Sequence, residues 1–213
     1  MEEGNKLIVA ISKGRVFEEL NTTLKDTTYS INESEIESRK ILLNSKTPEV
    51  KFLLVRGWDI PAFVHSGVAQ LGILGKDILL ERESYEFAEL NDLNIGKCRL
   101  SVAGKDENIL RRSKLRVATR YVSTAKTYFE SIGIQPEIIE LLGSHEIAPE
   151  TNLSDVIVDL VETGNTLKQN NLNELNLIRN ISTRLIVNKA SLVTNKALIN
   201  KFKEDLISRL LNV

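Results

Sequence analysis

Short runs of apolar, largely β-branched residues alternate with amphipathic stretches along most of the 213-residue chain. Residues 7–11 (LIVAI) predict a buried strand, and an amphipathic helix extends through Leu24 after the SKGR tetrapeptide. Residues 52–55 (FLLV) predict a second strand. Asp59-Ile60-Pro61 then has the form of a helix start, with Asp59 as N-cap and Pro61 in the first turn. That helix is expected to run to Ser66 and stop at Gly67. Another strand follows at 71–74 (LGIL), and Gly75-Lys76-Asp77 leads into a helix over 78–81.

The middle of the chain repeats this pattern. Strands are expected at 100–103, 115–119 and 137–140, with a helix over 123–131 that ends at Gly133. Residues 156–161 (VIVDLV) predict a buried strand that turns through Thr163-Gly164-Asn165-Thr166 into a short helix. A last strand is expected at 184–187. A long amphipathic helix follows at 195–211, with Leu198, Phe202, Leu206 and Leu210 among its apolar positions. Alternation of strand and helix implies α/β architecture, a mostly parallel sheet covered on both faces. Strands that are apolar throughout fit such burial. Residues 165–180, rich in Asn and Leu, alternate too regularly for a disordered linker. The basic run at 111–116 (RRSKLR) reads as a solvated helix end.

Composition narrows the function. The chain is 42% hydrophobic and 27% charged, with 28 Lys and Arg against 29 Asp and Glu and a net charge of −1. That balance does not support a protein that coats nucleic acid, although a locally basic pocket is compatible with it. The single cysteine, Cys98, cannot form an intrachain disulfide or a multi-cysteine metal site and reads as a small hydrophobe. Two histidines, His65 and His145, are too few for a typical zinc site. His65 is expected at a helix end and His145 in a loop beside Glu146, neither as a base. No stretch approaches the roughly 20 apolar residues that span a bilayer, and the acidic start lacks the form of a secretory signal. The expectation is a cytosolic protein with no membrane and no nucleic-acid partner.

Three segments carry candidate chemistry. In DVIVDLVETGNTL, a buried strand runs through Asp159 and Glu162 into a Thr-Gly-x-Thr turn that opens a helix. Unpaired N–H groups there suit a phosphate; Gly164 permits close approach, and Thr163 and Thr166 add hydroxyls. Asp159 and Glu162 sit where carboxylates accept hydrogen bonds from ribose hydroxyls or hold magnesium through water. The alternative is a helix capped by Thr163 or Asn165. In SKGR, Lys13 and Arg15 follow the first strand, where ligands of parallel sheets collect, and suit a polyphosphate; the alternative is a basic helix start facing water. In the segment from Val55 to Asp77, Arg56 follows one strand and Lys76-Asp77 the next, so both loops are positioned for one crevice.

These segments, taken in order, resemble the ATP phosphoribosyltransferases of histidine biosynthesis. The resemblance rests on AISKGR, ESRK, LVRGWDIPAFVHSGVAQLGILGKDIL, LRVATRY, GSHEIAPE and SDVIVDLVETGNTLKQNNL, which together cover most of the chain from residue 7 to about 190. It implies two α/β lobes with central mostly parallel sheets, like a type II periplasmic binding protein, linked by two crossing strands. Lobe I would comprise residues 1–100 plus 185–213 and lobe II residues 101–184. The implied reaction transfers the phosphoribosyl group of phosphoribosyl pyrophosphate to N1 of ATP, releasing pyrophosphate in the presence of Mg²⁺ held mainly by substrate phosphates.

The same resemblance assigns residues. Phosphoribosyl pyrophosphate falls to Glu146, Asp159, Glu162, Thr163, Gly164, Asn165, Thr166 and Leu167. ATP and pyrophosphate fall to Lys13, Arg15, Arg39, Arg56, Gly75, Lys76 and Asp77, with Arg15, Arg39 and Arg56 as the catalytic cations. The length resembles the short form of the family, which implies a homodimer within a hetero-oligomer containing a histidyl-tRNA-synthetase-like regulatory subunit. Three positions depart from the family pattern: Gln70 where Asp is usual, Ser154 where Ala is usual, and Asn171 where Gly is usual. The Gln70 change is expected to remove a structural hydrogen bond or cap. The rival functions are a non-catalytic solute-binding protein and a nucleotide-binding regulatory subunit without turnover.

Overall fold

The computed structural model describes residues 6–81 and 85–211. In chain order the strands are β1 (Leu7–Ser12), β2 (Leu42–Asn44), β3 (Val50–Val55), β4 (Leu71–Gly75), β5 (Ala88–Asp92), β6 (Cys98–Gly104), β7 (Lys114–Thr119), β8 (Gln135–Glu140), β9 (Val156–Val161), β10 (Asn173–Ile181) and β11 (Thr183–Val187). They form two sheets, ordered β2-β3-β1-β4-β11-β5 and β10-β6-β9-β7-β8. Each sheet belongs to one compact unit: residues up to Gly96 together with those from Ser182 onward, and Lys97–Ile181. From sequence the unit changes at 100/101 and 184/185. Pairing moves both points upstream, because β6 joins β10 from Cys98 and β11 joins β4 from Thr183.

Both sheets are mixed rather than mostly parallel, each built on a run of three parallel strands. In the first, β1 runs parallel to β3 and β4, while β11 is antiparallel to β4 and β5, and β2 to β3. In the second, β7 is parallel to β8 and β9, β6 is antiparallel to β9, and β10 to β6.

The apolar run of β1 serves two faces. Leu7, Val9 and Ile11 pack with Phe17, Leu20 and Leu24 of the helix Arg15–Leu24 and with Ile199, Phe202 and Leu206 of the helix Lys196–Leu210. Ala10 points the other way, into a cluster with Ile60 and Val64 of the helix Ile60–His65 and with Ile78. Side chains alternate across a strand, so a strand covered on both sides must be apolar at successive positions. The stripe of the last long helix centres on Ile199, Phe202 and Leu206, with Leu198 and Leu210 at its margin. Gly72 of β4 lets the helix Ile60–His65 lie directly on the sheet: a Cβ there would fall 2.8 Å from both Ile60 Cγ2 and Val64 Cγ2.

Some elements differ from the sequence expectation. Asp59 precedes the helix Ile60–His65 but makes no side-chain capping bond, because a 3-10 turn over Gly57–Asp59 already gives it helical dihedrals. The Asn-rich stretch contains β10, a nine-residue edge strand interrupted by register shifts. Its mostly exposed, polar side chains leave no apolar run to read. The basic run does not simply face solvent. Arg112 Nη1 lies 3.5 Å from Asp155 Oδ1, and Arg116 Nη2 lies 3.1 Å from the same oxygen.

Candidate active site

In the second unit, β9 carries Asp159 to its carboxyl end, and the chain then turns at Gly164 into the helix Asn165–Gln169. Gly164 adopts φ 78°, the left-handed region where a side chain is strained. A cavity of about 260 Å³ opens on this turn, lined by Glu146, Asp159, Leu160, Val161, Glu162, Thr163, Gly164, Thr166 and Leu167. All the residues assigned from sequence to phosphoribosyl pyrophosphate therefore line one cavity except Asn165, whose N–H donates to Thr163 Oγ1 at 3.3 Å. Gly164 holds the N-cap position, without a side-chain bond, and Thr163 just before it accepts the N–H of the helix's first residue. Leu167 is buried with Val161, Ala148 and Leu172, which anchors the turn to the core of its unit.

The turn is braced from β6. Arg99 Nε and Nη2 each donate to Glu174 at 2.8 Å, and Arg99 Nη1 reaches the Glu162 carbonyl at 3.4 Å. Ser101 Oγ donates to Glu174 Oε1 at 2.7 Å. The Arg99 hydrogen bonds, followed by that of Ser101, outweigh desolvation and hold the Glu174 carboxyl below its ordinary range. At the end of β7, within the LRVATRY segment, Thr119 Oγ1 donates to the Val158 carbonyl at 2.7 Å and accepts the Tyr121 N–H at 2.9 Å.

His145 is not the loop histidine that its sequence context suggests. The residue is 3% exposed, with Nδ1 2.8 Å from Asp159 Oδ2 and Nε2 3.0 Å from the Leu141 carbonyl oxygen. Burial disfavours its charged form. The hydrogen bonds to Asp159 and Leu141, with the charges of Asp159 and Glu146, outweigh that and move its pKa upward. No local pattern marks His145, Arg99 or Glu174, since their partners lie 14 and 75 residues away in sequence.

In the first unit, β1, β3 and β4 run parallel, with Ser12 opposite Val55 and Ile11 opposite Ile73. Their carboxyl ends lie along one sheet edge, which carries Lys13 and Arg15 after β1 and Arg56 after β3, all three exposed. Because β2 is antiparallel to β3, it begins at this same edge, and Arg39 lies three residues before it, also exposed. The turn after β4 is more committed. Lys76 Nζ is 2.5 Å from Glu89 Oε2, and Asp77 is 5% exposed. The Asp77 carboxylate folds back over Gly75, where a Cβ would fall 2.1 Å from Oδ1. Of these three residues, the side chains of Lys76 and Asp77 are engaged within the unit. Lys13, Arg15, Arg39 and Arg56 are the cations gathered at the edge.

Comparison with known proteins identifies the family. The family model described as HisG, ATP phosphoribosyltransferase, matches residues 56–208. A relative named ATP phosphoribosyltransferase from Ruthia magnifica subsp. Calyptogena magnifica is 42% identical over 200 residues, covering 94% of this chain and 98% of the relative. Among solved structures, the ATP phosphoribosyl transferase (HisG:HisZ) complex from Thermotoga maritima matches with a TM-score of 0.83 at 35% identity, over 97% of this chain and all of that one. The periplasmic aliphatic sulphonate binding protein SsuA from Escherichia coli shares the fold, with a TM-score of 0.63 at 11% identity, over 98% of this chain and 69% of that one. With its match to the family model and its near full-length relatives, the chain belongs to the ATP phosphoribosyltransferase family, the pentosyltransferases of the first step of histidine biosynthesis.

Proposed function

We propose that this chain divides the family's reaction between two sets of its own residues. In the second unit, the N–H groups and hydroxyls of Thr163–Thr166 receive the phosphate of phosphoribosyl pyrophosphate, and Asp159 accepts hydrogen bonds from the ribose hydroxyls. In the first, Lys13, Arg15, Arg39 and Arg56 bind the polyphosphate of ATP and the pyrophosphate. The observation that carries this reading is the single cavity in which Glu146, Asp159, Glu162, Thr163, Gly164, Thr166 and Leu167 meet.

The chemistry fits such residues. The bond between adenine N1 and ribose C1′ forms as the bond from C1′ to pyrophosphate oxygen breaks, and pyrophosphate leaves with the electron pair. Adenine N1 has a lone pair at neutral pH, so no base is needed to deprotonate the nucleophile. The demand falls on a ribose carbon with oxocarbenium character and on the charge of the leaving group. Guanidinium forks suit that charge better than ammonium groups, because they pair bidentately with phosphate oxygens.

Magnesium enters this reading on the substrate's phosphates. Among the described residues no group of three His, Cys, Asp or Glu side chains is placed to hold a metal ion. The oxygen donors lining the cavity nonetheless suit a hard cation, and Glu162 is the side chain that would face it, through water. Its contribution is to neutralise charge on the departing pyrophosphate. The Thermotoga structure is a HisG:HisZ complex, which supports a hetero-oligomer; from the family resemblance we take the chain as a cytoplasmic homodimer within it, beside a histidyl-tRNA-synthetase-like regulatory subunit. Among the described residues no helix is long and apolar enough to cross a membrane.

The test is a continuous assay of ATP, phosphoribosyl pyrophosphate and Mg²⁺ with pyrophosphatase present, following adenine product absorbance, with the chain alone and with the regulatory subunit. Product that requires both substrates and increases with the subunit is expected. Folded protein that binds ATP yet forms no product in either condition overturns the reading.

A further inference from the structure

The reaction as assigned makes no use of His145, a buried titratable group whose ring lies against the cavity's Asp159. Its two ring nitrogens face two acceptors, the Asp159 carboxylate and the Leu141 carbonyl. A carbonyl cannot donate, so Nε2 carries a proton, and a ring that also donates to the carboxylate carries one on Nδ1 as well. The other Asp159 oxygen, Oδ1, accepts the Leu160 N–H at 2.8 Å. Each carboxylate oxygen is thus fixed by one protein donor, and the side chain remains 23% exposed in the lining of the cavity. Three carboxylates, Glu146, Asp159 and Glu162, line that cavity, and no lysine or arginine does. A positive charge on the His145 ring, behind the wall, would offset part of that acidic lining toward an anionic sugar phosphate. The charged groups facing the His145 ring are Asp159 from β9 and Glu146 from its own turn.

We propose that His145 is a positioning residue for the phosphoribosyl substrate: clamped between Leu141 and Asp159, its imidazolium orients the Asp159 carboxylate toward the ribose hydroxyls and offsets the acidic lining. This rests on the assignment of the cavity to phosphoribosyl pyrophosphate. His145 touches no substrate atom in this scheme and acts through Asp159.

Calorimetric titration of the full chain with Mg²⁺–phosphoribosyl pyrophosphate, and separately with ATP, tests it in the wild type, His145→Gln and His145→Leu. Glutamine keeps a donor for Asp159 without the charge, and leucine removes both. Phosphoribosyl pyrophosphate affinity is expected to fall about tenfold in His145→Gln, the scale of the difference between a charged and a neutral donor, and further in His145→Leu, where the hydrogen bond is lost as well. ATP affinity should stay within about twofold, since its residues lie in the other unit. Should the leucine variant not fold, the glutamine variant alone decides. Unchanged affinity for phosphoribosyl pyrophosphate, or a parallel fall for ATP, overturns the proposal. If the wild type itself does not bind phosphoribosyl pyrophosphate, the substrate reading fails separately, and nitrogen NMR of the ring decides the clamp. The chain has two histidines, so a His65→Gln background isolates His145. Both ring nitrogens protonated at neutral pH, with that state lost in Asp159→Asn, support the clamp; a neutral ring overturns it.

Discussion

Gln70 accepts the Ile8 N–H on Oε1 at 2.8 Å and donates Nε2–H to the Gly67 carbonyl at 3.0 Å. One carboxamide thereby ties β1 to the turn that ends the helix Ile60–His65. Its backbone adds a bond to each side, from Gln70 N–H to the Ile8 carbonyl and from Asn188 N–H to the Gln70 carbonyl, both at 3.0 Å. The change from the usual Asp was expected to remove a hydrogen bond; here the carboxamide makes two. A carboxylate can accept from Ile8 but cannot donate to Gly67, and it would face that carbonyl with like partial charge. Gln70→Asp is therefore expected to lower stability by about 1–2 kcal/mol, read from the midpoint of urea unfolding. An unchanged midpoint would show that the carboxamide bonds contribute nothing net.

Asp155 should give the second unit an acid-sensitive fastening. Burial opposes its ionisation. The Arg116 side chain and N–H, then the Arg112 charge, outweigh that and hold the carboxyl below its ordinary value. A carboxyl with a depressed folded-state pKa contributes stability that is complete above the unfolded value, near about pH 4, and disappears as pH falls through the folded value. Unfolding free energy of the wild type should therefore decline across that acid window. Asp155→Asn should be less stable at neutral pH and show a shallower decline. Identical slopes in the two proteins would remove Asp155 from this role.

Ser154 is 3% exposed, and its hydroxyl has no hydrogen-bond partner among the described residues. A buried hydroxyl without a partner carries an uncompensated desolvation cost. Ser154→Ala, the residue usual in the family, should stabilise the protein by about 1 kcal/mol, or about 2–4 °C in Tm for a chain of this size. A lower Tm in the variant would contradict this.

Arg56 follows β3 at the edge where the first unit gathers its cations, and it is exposed. Its removal should leave folding intact and reduce kcat and kcat/KM together by about 10²-fold, as expected for a contact formed mainly with the departing pyrophosphate. Arg56→Lys should recover only part of the loss, because an ammonium group cannot pair bidentately. Unchanged kinetics in Arg56→Ala would sink the assigned role.

Where local pattern and tertiary environment agree, the fold was legible. LIVAI, FLLV and LGIL are strands because both faces of their sheet are covered, which forces a continuous apolar run, and VIVDLV keeps to that pattern until Asp159, where the strand reaches the cavity. The turn at Gly164 was legible because Thr-Gly-x-Thr after a buried strand opens a helix on either of its readings, a phosphate turn or a capped helix start. Strands such as β10 and β2 were not, since β10 is mostly polar and exposed, β2 is only three residues long, and both are edge strands that depend on a neighbour for their hydrogen bonds. Asn171 shows the two levels meeting: it adopts φ 55°, the left-handed region that glycine occupies freely and asparagine tolerates better than most residues. That conformation explains why Asn can stand where Gly is usual.

By itself, the sequence determined the alternation of strands and helices, the glycine turn that opens a helix after β9, and the cationic residues that follow β1 and β3. It did so through spacing and backbone preference, which act within a few residues. Only the tertiary structure decided that His145 clamps Asp159, that Arg99 and Glu174 brace the turn, that Lys76 pairs with Glu89 and that Arg112 and Arg116 converge on Asp155. Such pairings depend on strand register and burial between distant segments, where desolvation makes each charge seek a partner that no local pattern names.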